Sequence, residues 1–227
     1  MSRADADIEG NVDRYLAGRH ATVRYSSFDY CNNYFGSFQD AGRIEALADP
    51  PHLEMSCLQL GFYLASWGMF RGKAALLRHS AKRLAPVIDA IVAAPSLTWT
   101  VDAGGYDAET QGLLFDVERS LGQALPGGRS TTLVTKTMLG VFGCVPAYDR
   151  FFRVGFGVTT FGWKSLAALD EYYRANAETI DRCRVPTLDF TTGAETARTY
   201  TRAKVIDMVF FIEGAGFGAS PPSGVAS

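Results

Sequence analysis

Lys136 and Asp149 are the two residues whose types and spacing best fit a reaction centre in this chain. Lys136 stands among apolar residues, from Leu133 and Val134 to Met138, Leu139, Val141 and Phe142. Thr132 lies one helical turn earlier on the same face. Lysine is rarely buried without a partner. An apolar setting disfavours an ammonium, and a neutral amine is a nucleophile. The competing reading is a lysine that snorkels to solvent. Asp149 follows Pro146-Ala147-Tyr148 and precedes an aromatic-rich run. A carboxylate at that place caps a helix by accepting backbone N–H groups. Held there, it can also stabilise a developing cation or activate a nucleophile.

These two residues need a turn, two helices and a break to position them. Leu125-Pro126-Gly127-Gly128 is a turn. Its amides, with Arg129 and Ser130, suit one phosphate. An apolar helix carrying Lys136 follows, and Gly143-Cys144-Val145-Pro146 ends it. Asp149 then opens the next helix.

The rest of the chain reads as mostly helical. Ile8, Val12, Tyr15 and Leu16 recur at helical spacing within residues 3–18. Residues 28–38 set Phe28, Tyr30, Tyr34, Phe35 and Phe38 around Asp29, Asn32 and Asn33, with Ser26 or Ser27 as the cap. That run is an aromatic core helix or a pocket wall whose amides read a ligand. After the breaker at Ala48-Asp49-Pro50-Pro51, residues 53–70 are apolar on nearly every side, which predicts a central buried helix. Residues 73–94 predict a second long helix interrupted at Pro86. Arg71, Lys73, Arg78, His79, Lys82 and Arg83 make the densest basic segment, a solvated face or a phosphate-tracking one. Leu97–Val101 is the best strand-like run, Leu113, Leu114, Val117 and Leu121 point inward from a helix over 106–124, and residues 164–178 form another helix. Residues 179–193 read as irregular, 194–213 as the last helix, and 219–227 as a frayed tail. The fold class is all-α, in one compact domain or two closely packed lobes.

Composition narrows the function. The hydrophobic fraction of 47% and charged fraction of 20% are those of a globular protein with a real core. The net charge of -2 carries no global basic character, so any nucleic-acid surface must be local. No apolar run reaches the roughly 18 residues that span a bilayer, and the N-terminus is polar, so no membrane is expected and the location is expected to be cytoplasmic. Cys31, Cys57, Cys144 and Cys183 fit no zinc or disulfide spacing, and His79 has no partner at metal spacing. No metal and no cofactor are expected.

The stretch from Leu125 to Gly157 resembles the helix-hairpin-helix DNA glycosylases, the endonuclease III and archaeal oxoguanine glycosylase superfamily. LPGG at Leu125–Gly128 matches the hairpin, Val141–Gly143 the helix end, and PAYDRFFRV at Pro146–Val154 the start of the next helix with the catalytic aspartate at Asp149. The family's hairpin reads Gly-x-Gly, whereas Gly127 and Gly128 are adjacent. Counted back from Val141–Gly143, the family's lysine position falls on Thr132, one turn before Lys136. The resemblance implies a DNA partner and excision of a modified or damaged base, in repair or in defence against phage with modified DNA. Members without the lysine remove the base with the aspartate alone. The base must leave the stack for a pocket, and Tyr30, Asn32, Asn33 and Trp67 are its candidates. Gly127, Gly128, Arg129, Ser130, Arg71 and Lys73 are the candidates for DNA phosphates. Two other classes stay open: a non-enzymatic helical module that binds DNA or protein, and an all-α enzyme acting on a small molecule near Asn32 and Asn33.

Overall fold

The computed structural model describes Arg3, residues 6–127 and residues 130–216. The expectations for Gly128, Arg129 and the tail over 219–227 concern residues outside that range. Among the described residues the chain forms ten α-helices and one two-stranded hairpin, so the all-α class holds. The helices are α1 (Ile8–Ala17), α2 (Ser27–Asp40), α3 (Pro50–Ser66), α4 (Ala85–Val92), α5 (Ala108–Ala124), α6 (Thr131–Phe142), α7 (Arg150–Phe156), α8 (Trp163–Ala175), α9 (Ala177–Arg182) and α10 (Arg202–Gly216). The buried apolar side chains form one cluster that takes in residues from every helix.

The helix at the centre is α6. Each residue from Leu133 to Phe142 is buried, Lys136 included. Ser130 caps its start by accepting from the Leu133 N–H at 3.4 Å. Gly143 ends it at φ 68°, a left-handed conformation that side chains disfavour. Helices α2, α3 and α5 pack around it. The expectation of a central α3 is corrected. Its apolar character is spread all round, yet Met55, Leu58 and Phe62 are exposed at 47%, 45% and 68%. Neighbouring elements cover only the opposite face of α3, which carries Leu60 and Leu64.

Four other expectations change. Residues 164–178 are not one helix and 179–193 are not all irregular, since α8 ends at Ala175, α9 runs to Arg182 and Pro186–Leu188 is a strand. Leu97–Val101 is not a strand, because Ser96–Trp99 is a 3-10 turn started by Pro95. Residues 73–94 are not one long helix. They divide into 3-10 turns at Ala75–Arg78 and Ala81–Leu84, and only Ala85–Val92 is α-helical, with Pro86 in its first turn. The last helix starts at Arg202 rather than 194. Pro186–Leu188 (β1) and Glu195–Thr199 (β2) pair antiparallel, and β2 uses the polar half of the expected helix. Glu195, Thr196, Ala197, Arg198 and Thr199 alternate exposed and half-buried, a period of two that the helical reading had hidden.

Candidate active site

Asp149 is held from three sides. Its Oδ1 accepts the N–H groups of Phe151 and Phe152, both at 3.0 Å, which caps α7. Its Oδ2 accepts from Lys136 Nζ at 2.8 Å. The side chains of the pair are 5% and 14% exposed. Lys136 therefore does not snorkel to solvent; it pays for burial with a carboxylate.

The loop that carries Asp149 is fixed along its length. Thr201 Oγ1 donates to the Gly143 carbonyl at 2.7 Å and Tyr106 OH to that of Cys144 at 2.7 Å. The Ala147 N–H donates to Asp207 Oδ1 at 3.0 Å, and the Tyr148 N–H to Thr135 Oγ1 at 2.8 Å. Thr132 Oγ1 donates to the Tyr148 carbonyl at 3.0 Å. Five hydrogen bonds thus fix the loop that carries the carboxylate.

A second ion pair lies behind the first. Lys204 is 1% exposed. Its Nζ donates to Asp207 Oδ2 at 3.1 Å and to Tyr15 OH at 2.9 Å. The ammonium also sits over the rings of Tyr15, Phe28, Trp67 and Tyr200 at 4.5 to 5.9 Å. Burial, and then the Asp207 carboxylate, pushes the Tyr15 hydroxyl well above the usual phenol range. Trp67 touches both pairs, since Lys136 Nζ is 5.3 Å from its ring and Lys204 Nζ 5.7 Å. The two pairs line one inner cavity of about 10 Å³, room for a single water at most.

On its outer side the Lys136–Asp149 pair opens into a cleft of about 380 Å³. Trp67, Phe151 and Phe211 give it aromatic walls. Arg24, Arg71, Arg150 and Arg153 supply four guanidinium groups. Asp149 is the one carboxylate among its described lining residues.

The structure brings Lys136, Asp149, Trp67 and Arg71 together and separates the other expected residues. Asn32 is buried and donates to the Val141 carbonyl at 3.4 Å, tying α2 to α6. Asn33 donates to the Leu188 carbonyl at 2.9 Å and accepts from Thr187 Oγ1 at 2.7 Å, tying α2 to β1. Tyr30 OH donates to the Ala21 carbonyl at 2.5 Å. Tyr30 and Asn33 line a different groove, beside Phe190 and away from Lys136 and Asp149. Asn32 and Asn33 thus tie α2 to α6 and to β1, and neither lines the cleft that holds Lys136 and Asp149. Gly127 packs against Ala75, and Ser130 is spent on capping α6. Lys73 is exposed and does not line the cleft.

The sequence reading missed Arg24, Arg150, Arg153, Lys204 and Asp207. A signal for the last two was present: a Lys and an Asp three apart, inside the apolar run of α10, have the spacing of a helical ion pair. Among the described residues no group of three or more His, Cys, Asp and Glu side chains is placed to hold a metal ion. No helix among them is long and apolar enough to cross a membrane. Comparison of the chain with protein-family models, with curated proteins and with solved structures finds no match in any of the three.

Proposed function

We propose that the chain is a DNA glycosylase-like enzyme that removes a modified or damaged base, in repair or in defence against phage with modified DNA. The observation that carries this reading is the state of Asp149. Its carboxylate is fixed by two backbone N–H groups and an ammonium, and it borders a cleft that is otherwise cationic and aromatic. Cleavage of the C1′–N bond leaves the electron pair on the base and positive charge on the sugar. A fixed carboxylate lowers the energy of that cation without having to reorganise. Water then adds to C1′ and its proton passes to the departing base, which leaves a free base and an abasic site. In this scheme Lys136 holds Asp149, and water rather than the amine attacks the sugar.

A non-enzymatic helical module is the competing reading, because a cap and an ion pair suffice to explain Asp149 structurally. One assay separates the two. The protein is incubated with DNAs carrying different modified bases, and abasic sites are scored by strand cleavage with and without alkali. The glycosylase reading requires base release by the wild type and none by Asp149→Asn, with DNA binding retained by both. Equal behaviour of the two proteins would leave Asp149 as a cap alone.

A further inference from the structure

Arg24, Arg71, Arg150 and Arg153 differ from the six described arginines that pair with a carboxylate. Arg19, Arg119, Arg174, Arg182, Arg198 and Arg202 each pair with a carboxylate. None of the four cleft arginines does so among the described residues, although the chain has 24 acidic side chains to 22 basic ones. The four nevertheless converge on one cleft, where their mutual repulsion is unfavourable unless an anion compensates it. Arg24, Arg71 and Arg150 are exposed. Arg153 is half-buried, and its Nε is enclosed without any acceptor. Its Nη1 reaches only the Thr159 carbonyl, at 3.3 Å. A buried donor without an acceptor calls for a partner.

The cations come from two parts of the chain. Arg24 precedes α2 and stacks over Trp67 at 5.5 Å, and Arg71 follows α3. Arg150 and Arg153 are one turn apart on α7, next to Asp149. A guanidinium fork matches two phosphate oxygens at once. We propose that these four arginines are a phosphodiester clamp, which holds the linkages on both sides of one nucleotide of a DNA strand. The pairing of Asp149 with Lys136 leaves the cleft with a surplus of four positive charges. Two consecutive diesters bring two negative charges, spaced as a strand spaces them. Trp67, Phe151 and Phe211 provide apolar surface for the sugar and base between. Placing the sugar of that nucleotide beside Asp149 rests on the glycosylase reading; the clamp itself does not.

The test is fluorescence-anisotropy titration of a labelled single-stranded oligonucleotide from low to physiological salt. It uses the wild type, each Arg→Gln variant, each Arg→Lys variant and Asp149→Asn. Competitors are a trinucleotide with two diesters, a nucleoside 5′-monophosphate and a uniformly methylphosphonate oligonucleotide. Folding of every variant is checked by circular dichroism. Each Arg→Gln variant should reduce the slope of log K against log salt by about 0.7 for a single strand, and Arg→Lys should restore it. The trinucleotide should compete, and the monophosphate and the neutral oligonucleotide should not. Unchanged slopes in Arg24→Gln, Arg71→Gln and Arg150→Gln, whose side chains are exposed, would overturn the clamp whatever happens to Arg153→Gln. A monophosphate that competes as well as the trinucleotide would overturn it in favour of a mononucleotide site. Failure of the two readings is distinguishable: reduced slopes without base release from any DNA keep the clamp and reject the glycosylase, and base release with unchanged slopes does the reverse.

Discussion

Lys136 Nζ lies 2.8 Å from Asp149 Oδ2, and the same carboxylate closes the head of α7 through its other oxygen. One side chain therefore joins the central helix to the helix packed on α10, and each of its oxygens has a separate task. Replacing Asp149 by Asn keeps an acceptor for the cap, because Asn caps as well as Asp. It removes the charge that meets Lys136. Urea unfolding of Asp149→Asn should show a loss of about 3 kcal/mol, the cost of leaving a buried charge uncompensated. Base release should disappear together with the charge.

Lys136→Met tests the amine. The methionine fills the apolar space, and Asp149 keeps its two backbone donors. Borohydride treatment during turnover should trap no protein–DNA adduct in the wild type, since the ammonium is engaged by Asp149. A wild-type adduct that vanishes in Lys136→Met would make the lysine the nucleophile.

Lys204 and Asp207 are linked to Asp149 through the backbone of Ala147. Asp207 holds the Ala147 N–H, two residues before Asp149, and Lys204 holds Asp207. Lys204→Met should destabilise by about 3–5 kcal/mol, because Asp207 is left buried and unpaired. The double variant Lys204→Met/Asp207→Leu should recover a large part of that loss, leaving about 1–3 kcal/mol for the orphaned Ala147 N–H. A double-mutant cycle by urea unfolding measures the coupling. Base release should remain impaired in the double variant, since the loop before Asp149 has lost a tether. Full release would make the second pair irrelevant to the site.

The approach of α7 to α10 depends on two glycines. A Cβ on Gly155 would collide with the Phe210 carbonyl, and one on Gly214 with the Phe151 carbonyl. Either Gly→Ala change must push the helices apart, at a cost of about 1–3 kcal/mol. Because Asp149 caps α7, both variants should also lower base release beyond what thermal unfolding accounts for.

The thiols should be silent in the folded protein. Cys31, Cys57 and Cys144 are buried, and burial pushes each of these thiols above its usual range. Cys183 is half-buried. A thiol reagent at mildly alkaline pH should label Cys183 first, and the other three only on unfolding. Rapid native labelling of Cys144, in the loop beside the site, would show that this loop opens.

The helical class and most of the helices were readable from the sequence, because a period near four in the apolar residues survives wherever one helix face is buried; α9 and the hairpin were not. The cap at Asp149 was readable for the same local reason: a short acceptor after a break satisfies N–H groups two and three residues away. Where two locally valid readings competed, only the tertiary structure decided. Residues 53–70 are apolar enough for a core, but the chain wraps α6 instead, and Met55, Leu58 and Phe62 are left outside. Asn32 and Asn33 are polar enough for the wall of the cleft, but their partners are Val141, Thr187 and Leu188, which lie far along the chain and hold them away from it. Lys136 as snorkel or buried ammonium could not be chosen from its own helix. The choice depends on Asp149 reaching it across the Gly143–Pro146 break, a distance no periodicity encodes. The four arginines of the cleft are the clearest case: they stand at positions 24, 71, 150 and 153, and nothing but the packing of α2, α3, α7 and α10 makes them neighbours.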